Sequence, residues 1–486
     1  MKKSSNIVII GAGLGGLTAG ALLSKDGYKV TILEQHNIVG GCATTFKRKG
    51  GFICEVGLHE MDGVYNNRQI KYIFDKLDVY NNVNFIKPNE FFSIKTKNRS
   101  FIMPDSVELA QQKLIEQFPK EKQGIVKYFK NIKSIYHELE KLQDASWYHY
   151  ALFPFLFPNT FKFKPKSVTK VLDSLIEDEE LKFILNANVQ YYADTPDSLS
   201  FLLHAVAQYS YYSGGGYFIQ GGSQKLSDYL ASVIVKNGGN VITKAEVISC
   251  KEGLVTYMNK NSKISLSCDA IVSNLSTQQT YKLLNHQYQE KLELSNSLLT
   301  IYIGFKKNLK EIYGKRAYSN FIFDDTSSID EYNSMIKQDI TSRGFVFVDY
   351  SQIDSKLTKD NSKSFGVICL TDFIDEWINL DDSSYYAKKD LLIESAIEKL
   401  QKYYPNIKDL VEFAEVGTAK TVKRYIKTPQ GTAYGFKPTP KQFLRIPQTK
   451  SKKINSLYFV GQWVLSGGFS PSITSGLLCY KEIVKS

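Results

Sequence analysis

Short apolar runs separated by glycine turns recur along this chain, and the first two frame its most informative segment. Residues 7–10 read as a strand, a helix-like stretch follows Gly16, and a second apolar run at 30–33 is closed by Glu34. Near the other end, residues 457–460 read as a strand leading through Gly461 and a Gly467-Gly468 turn to Pro471, with a helix beginning near Ser472. Between them, the glycine-rich stretch 214–222 precedes a periodic helix (Leu226, Leu230, Val233, Ile234). Gly238-Gly239 and the short apolar pair Val241-Ile242 then predict a right-handed return to the same sheet. Strand signals at 254–257, 264–266 and 270–273 predict a meander and another return. Two stretches have a different texture. Residues 91–94 and 100–103 predict a hairpin, followed by helices from Pro104 to about Leu142, while 301–305, 345–348 and 366–370 predict strands of a second sheet. The expectation is an α/β chain with two interleaved, discontinuous domains: 1–84, 206–289 and 431–486 in one, 85–205 and 290–430 in the other.

The first turn carries chemistry. Gly11, Gly13 and Gly16 stand in GxGxxG spacing between strand and helix, the arrangement that cradles a dinucleotide pyrophosphate. Gly11 permits the tight turn, Gly13 the approach of backbone to phosphate, and Gly16 the packing of helix on strand, while the helix N-terminus offers free N–H groups. Glu34 is placed to accept both ribose hydroxyls of an adenosine and to repel a 2′-phosphate. A second glycine pair, Gly40-Gly41, precedes Cys42 and the basic Lys47 and Arg48. A flavin dinucleotide uses such a segment and a nicotinamide does not require it, so Gly40, Gly41 and Arg48 are assigned to cofactor binding. Val247 is placed to present backbone groups to adenine. In the C-terminal turn, Gly461, Gln462, Gly468, Pro471, Ser472 and Ile473 are candidates to hold the flavin ring through backbone N–H groups and the helix dipole.

Composition narrows the partners. The 486 residues suit two or three structural units. Six cysteines without CxxC pairing and six scattered histidines argue against a metal site or disulfide framework. A net charge of +12 admits nucleic acid, an anionic membrane surface or acidic substrates, and no nucleic-acid motif favours the first. The 31 Tyr and 29 Phe hint at large apolar surfaces beyond the core. Met1-Lys2-Lys3 before small and apolar residues also resembles a signal peptide, but the glycine spacing and Glu34 argue against cleavage. No stretch reaches the roughly 18 continuous apolar residues of a spanning helix, so the chain reads as cytoplasmic.

These motifs together resemble the FAD-dependent phytoene desaturase, carotenoid isomerase and retinol saturase family, within the wider flavin amine oxidase fold group. The resemblance rests on the fingerprint, Glu34-Gln35-His36 with Gly40-Gly41, and Gly51-Phe52 leading to Glu55-Val56-Gly57-Leu58-His59. It extends through the GGY…QGG segment, Val272-Ser273-Asn274, the 417–435 stretch and the C-terminal turn. It implies a Rossmann-like FAD-binding domain with an interleaved α+β substrate domain, and a polyisoprenoid substrate delivered from a membrane. Desaturases usually carry an acid and a third glycine where this chain has Gln462 and Phe469, and Gly461-Gln462 with the Gly-Leu-His run is more similar to saturase-like members.

Residues 146–166 alternate aromatics with prolines and end in Lys162, Lys164 and Lys166. They suit either a monotopic patch at a lipid headgroup region, peripheral on the membrane, or an aromatic lid over a tunnel. His59 and Glu60 fall where the family's chain passes the flavin ring, and either is a candidate to donate or stabilise a proton. Tyr434 and Phe469 are candidates to line the cavity. The first reading is hydride-level desaturation or saturation of a carotenoid or retinoid-like polyene. The second is redox-neutral cis–trans isomerisation with reduced FAD, and the third a non-catalytic prenyl-chain binding protein, against which the retained flavin motifs speak. No second GxGxxG indicates a built-in NAD(P)H site, so electrons pass to or from quinone, oxygen, a partner protein or a diffusing reductant.

Overall fold

The computed structural model describes residues 1–142, 152–192, 195–288, 291–443 and 448–485. The first apolar run becomes the central strand, Asn6–Ile10, of a five-stranded parallel sheet. Lys29–Leu33 and then Asn240–Ile242 lie on one side of it, Ala270–Ser273 and then Leu457–Phe459 on the other. Alternate side chains of the central strand enter different cores. Ile7 and Ile9 pack with the helix Leu14–Lys25, whereas Val8 and Ile10 pack beneath the antiparallel meander Ala245–Lys251, Leu254–Asn259, Ser262–Ser267. Burial on both faces explains why this strand is apolar throughout rather than alternating. The helix Leu14–Lys25 is buried over all but its last residue, wedged between the sheet and the helices Gln224–Lys236 and Phe469–Lys485.

The second sheet has seven strands, in the order Val411–Gly417, Ser297–Phe305, Ser364–Asp372, Phe345–Asp349, Ser319–Ile322, Phe92–Lys95, Ser100–Met103. Its pairs are antiparallel except Ser319–Ile322 with Phe92–Lys95, where the early hairpin joins the later strands in parallel. Ser93 Oγ donates to Asn320 Oδ1 across that seam at 2.8 Å, fully buried. The two longest strands extend several residues beyond the apolar runs that predict them. Ser364 and Asp372 are polar yet buried, because Ser364 Oγ accepts from Leu309 N and donates to Lys307 O, and the Asp372 carboxylate accepts from Phe373 N, Trp377 Nε1 and Ala419 N. The domain boundary expected at 205/206 falls inside the continuous helix Phe201–Gly214.

Two expectations change in detail. The C-terminal helix begins at Phe469, not near Ser472, since Pro471 sits in its first turn, where a missing N–H costs nothing. The aromatic stretch, described from residue 152, forms two short helices, Phe153–Leu156 and Pro158–Phe163, and the part at 146–151 lies outside the described residues. Phe157 and Phe163 turn inward, while Leu152, Leu156 and Phe161 are exposed and Phe155 is 83% exposed. Glu138 of the helix Lys122–Leu142 pins the pair by accepting from the N–H groups of Asn159 (3.2 Å) and Thr160 (2.7 Å). No helix among the described residues is long and apolar enough to cross a membrane.

Candidate active site

Close backbone approach organises the site. A Cβ on Gly15 would lie 2.5 Å from Gly461 N and 2.8 Å from Gly461 Cα, so the fingerprint helix and the C-terminal turn meet main chain to main chain. Asn274, just past the Ala270–Ser273 strand, fills the angle between them: its Nδ2 would be 2.5 Å from a Cβ on Gly13, and its Oδ1 would overlap one on Gly461. Gly11 occupies the left-handed region (φ +92°), and a Cβ on Gly16 would collide with Gly11 O, as expected of the tight turn and the close helix. The second glycine pair docks onto the first turn, with Gly40 N–H donating to Ala12 O at 2.8 Å and Gly41 beside Gly13. Gly13 caps the helix without a side-chain bond, leaving first-turn N–H groups free for an anion.

Glu34 is buried at the end of the second strand. Its carboxylate accepts from Ala12 N and His36 N, each at 2.8 Å, and retains lone pairs toward the cavity. Val247, beside a β-bulge, and Gln462 also line the cavity. Arg48 lies on its wall, but Glu415 engages the guanidinium at 2.8 Å and Phe46 stacks beneath it at 4.4 Å. In the last turn Gly461, Gly468, Pro471 and Ser472 face the cavity, whereas Ile473 is fully buried in the core. The helix start explains this correction. Ser472 N–H already bonds to Gly468 O (3.3 Å), so the unpaired N–H groups precede it, at Phe469 and Ser470.

Gly11, Gly13, Glu34, Gly40, Gly41 and the cavity-facing residues of the last turn border one cavity of about 1550 Å³. That exceeds the roughly 300–1,000 Å³ of a single small-ligand site. It continues past the glycine loops into a region walled by Tyr191, Tyr192, Leu203, Val206, Tyr302 and Tyr434. Segment 57–61 forms the floor between the two regions. Its carbonyls are held by three phenols: Tyr350 to Leu58 O (2.8 Å), Tyr318 to His59 O (2.8 Å) and Tyr211 to Glu60 O (3.2 Å). From behind, the buried Glu55 accepts from Gly57 N, Leu58 N, Ser223 N and Ser223 Oγ at 2.7–3.1 Å. Burial nevertheless pushes the Glu55 carboxyl up to about 7.

His59 and Glu60 are thus fixed side by side. Burial drives the His59 imidazole down to about 4, and burial together with the Glu90 carboxylate raises Glu60 well above the ordinary range. His59 is therefore neutral at pH 7, and the Glu60 shift favours its protonated form. His59 Nδ1 meets Tyr191 Oη at 2.9 Å and its Nε2 lies 3.5 Å from Cys369 Sγ. Asn274, Tyr191, Tyr302 and Cys369 were not singled out in the sequence, where each is an ordinary core or strand residue; only Asn274 falls in a quoted motif.

Residues 14–479 match the family of flavin-containing amine oxidoreductases. The chain belongs to that family. Among its relatives, the all-trans-retinol 13,14-reductase of Danio rerio is 24% identical, over 98% of this chain and 85% of its own length. Prolycopene isomerase 1 of an Oncidium hybrid cultivar is 25% identical, over 98% and 83%. Among solved structures, putrescine oxidase with putrescine aligns over 99% of both chains with a TM-score of 0.65 at 14% identity. An oxidoreductase from Methanosarcina mazei aligns over 99% of this chain and all of its own with a TM-score of 0.61 at 16% identity. This member of the flavin amine oxidoreductases is an FAD-dependent enzyme. The site fits the cofactor: side-chain-free turns at Gly13, Gly15 and Gly461 leave backbone to meet a pyrophosphate, and Glu34 stands ready for the ribose.

Proposed function

We propose that this enzyme saturates or desaturates a carbon–carbon bond of a long apolar polyene, carotenoid or retinoid-like. The supporting observation is the pairing of a tyrosine- and leucine-walled extension of the cavity with two buried ionisable groups, His59 and Glu60, whose surroundings favour their neutral forms. Such a chamber dissolves a hydrocarbon and excludes water from the reacting carbons. The retinol reductase likeness agrees with it. FAD, when bound, supplies hydride-level redox chemistry. The chain's own part is to hold the adenosine through Glu34, fix the floor 57–61 through its three phenols, and present His59 to the chamber.

The test is anaerobic incubation of the photoreduced enzyme with a series of conjugated polyenes, followed by mass analysis. A product heavier by two hydrogens supports saturation, and an isomer of unchanged mass selects the second reading, redox-neutral cis–trans isomerisation, which the prolycopene isomerase likeness favours. Unchanged polyene under both reduced and oxidised conditions overturns the proposal. His59→Ala is expected to lower kcat by about 100-fold, the usual contribution of a positioned proton donor.

The exposed Leu152, Phe155, Leu156 and Phe161, flanked by exposed Lys162 and Lys164, support membrane contact as the route of entry for such a substrate. Each inserted phenylalanine is worth roughly 1.5–3 kcal/mol. The double variant Phe155→Asp, Phe161→Asp is expected to weaken binding to vesicles containing anionic lipid by at least about tenfold. Equal co-sedimentation of variant and wild type would remove this surface from the proposal.

A further inference from the structure

Four side chains from three stretches of sequence meet behind the cavity wall. Tyr191 Oη lies 2.9 Å from His59 Nδ1, and Tyr191 and Ser319 border the same small void, across which a water can link them. Ser319 Oγ in turn lies 3.5 Å from Glu60 Oε1, the outer limit of a direct hydrogen bond. A void of about 10 Å³ bordered by His59, Glu60, Asn188, Tyr191 and Ser319 offers one water-sized space beside that longest link. We propose that Glu60, Ser319 and Tyr191 form a proton relay that ends on His59, with Glu60 as the store and His59 Nε2 as the atom that delivers the proton into the cavity.

The inference rests on the carbon–carbon reading above, because saturating a double bond takes a hydride and a proton on neighbouring carbons. The hydride comes from the two-electron cofactor of the family. For the proton, the His59 Nε2–H bond breaks as the new C–H bond forms, and Nδ1 takes the Tyr191 hydroxyl proton. Tyr191 is refilled from Ser319 and Ser319 from Glu60, which ends as a carboxylate; desaturation runs the same line backwards. The surroundings favour the forms this requires. Burial and the facing carboxylates Glu90 and Asp105 shift Glu60 toward its protonated form, against the opposing bond from Ser319. Burial also raises the Tyr191 hydroxyl well above its usual range, so it stays a donor, and His59 stays a neutral imidazole that passes a proton without trapping it. The other groups around the line do not divert it: Cys369, beside His59 Nε2, is a thiol pushed up to about 12, and the Tyr318 and Tyr211 hydroxyls are committed to backbone carbonyls. The niche for the store is itself built, since a Cβ on Gly216 would overlap Glu60 Oε2.

The experiment has two arms, with Tyr191→Phe and Ser319→Ala compared with wild type. In single turnovers of the reduced enzyme with a conjugated polyene, Tyr191→Phe is expected to slow product formation about 100-fold with KM unchanged. The rate of wild type is expected to curve with the deuterium content of the solvent, as several protons in flight require, and that of Tyr191→Phe to be linear. Equal rates and equal solvent dependence in wild type and both variants overturn the relay. The second arm needs no substrate. Infrared spectra of the purified protein at pH 7 are expected to show a protonated carboxyl band that Glu60→Gln deletes and Ser319→Ala displaces. Glu55 and Asp372, raised to about 7 and about 6, contribute to the same region, so the readout is the difference spectrum between wild type and Glu60→Gln, and a difference spectrum without a protonated carboxyl component overturns the store. If wild type acts on no polyene, the functional reading fails, and the infrared arm still decides the relay separately.

Discussion

Gly15→Ala is expected to yield protein without bound flavin. The added methyl group would stand 2.5 Å from the main-chain nitrogen of Gly461, and neither partner is a flexible side chain that can swing aside. Helix Leu14–Lys25 is buried on nearly every face, so it cannot tilt without opening the contacts it makes with the C-terminal helix, where a Cβ on Gly476 would lie 2.9 Å from Ala19 N. Overpacking of this kind costs roughly 1–3 kcal/mol. The strain falls on the junction that presents N–H groups to the pyrophosphate, so occupancy suffers more than stability. The ratio of flavin to protein absorbance after purification checks it, and a ratio equal to wild type would refute the contact. Gly27→Ala is the control. Gly27, unlike Gly15, is left-handed (φ +92°), and its Cβ would meet nothing within 4 Å, so that variant is expected to lose about 1 kcal/mol of stability and to keep its flavin.

Glu55 carries the second large effect, on stability and its dependence on pH. Truncation to alanine orphans the N–H groups of Gly57, Leu58 and Ser223, each worth roughly 1–3 kcal/mol when buried without a partner. Glu55→Ala is therefore expected to lose about 4 kcal/mol or more, with disordering of the floor that carries His59. The sign of the pH dependence follows from the raised carboxyl. Between the ordinary carboxyl value of 4.5 and the folded value of about 7, the unfolded chain has released the proton while the folded chain still holds it. Raising pH through that window thus destabilises the fold, by roughly 3 kcal/mol at about 1.4 kcal/mol per tenfold change in proton affinity. Asp372, raised to about 6 by burial, slopes in the same direction. The diagnostic is the difference between wild type and Glu55→Gln in denaturant titrations at pH 5 and pH 8. The glutamine variant is expected to show a flatter pH dependence, and parallel curves would refute the assignment.

The parallel sheet and its cofactor turns were legible because they depend on local rules. Apolar runs of strand length, glycines where main chains touch, and an acid at the end of the second strand are all written within short windows. Glu34 and the two glycine pairs therefore stand where the spacing predicts. The C-terminal turn was legible only to within a few residues, since Pro471 is equally at home just before a helix and in its first turn, and this moved Ile473 from the site to the core. Arg48 shows a second limit. A basic residue near a glycine pair reads as cofactor-binding, and Arg48 does lie on the cavity wall, but its carboxylate partner Glu415, 367 residues away, was not foreseeable. The chamber was least legible. Tyr191, Tyr318, Tyr350 and Ser319 act through hydroxyls brought together by the second sheet, and no local pattern separates them from the other tyrosines and serines of a tyrosine-rich chain.

The contact of Gly15 with Gly461 also sets an order of events during synthesis. The two halves of the pyrophosphate cradle are about 450 residues apart, and ribosomes add roughly 5–20 residues per second. The fingerprint turn therefore waits on the order of 20–90 seconds for the strand and helix that complete it. Its apolar strand and buried helix remain without their final neighbours throughout that interval, so the cradle is completed only once the strand and helix around Gly461 have been made.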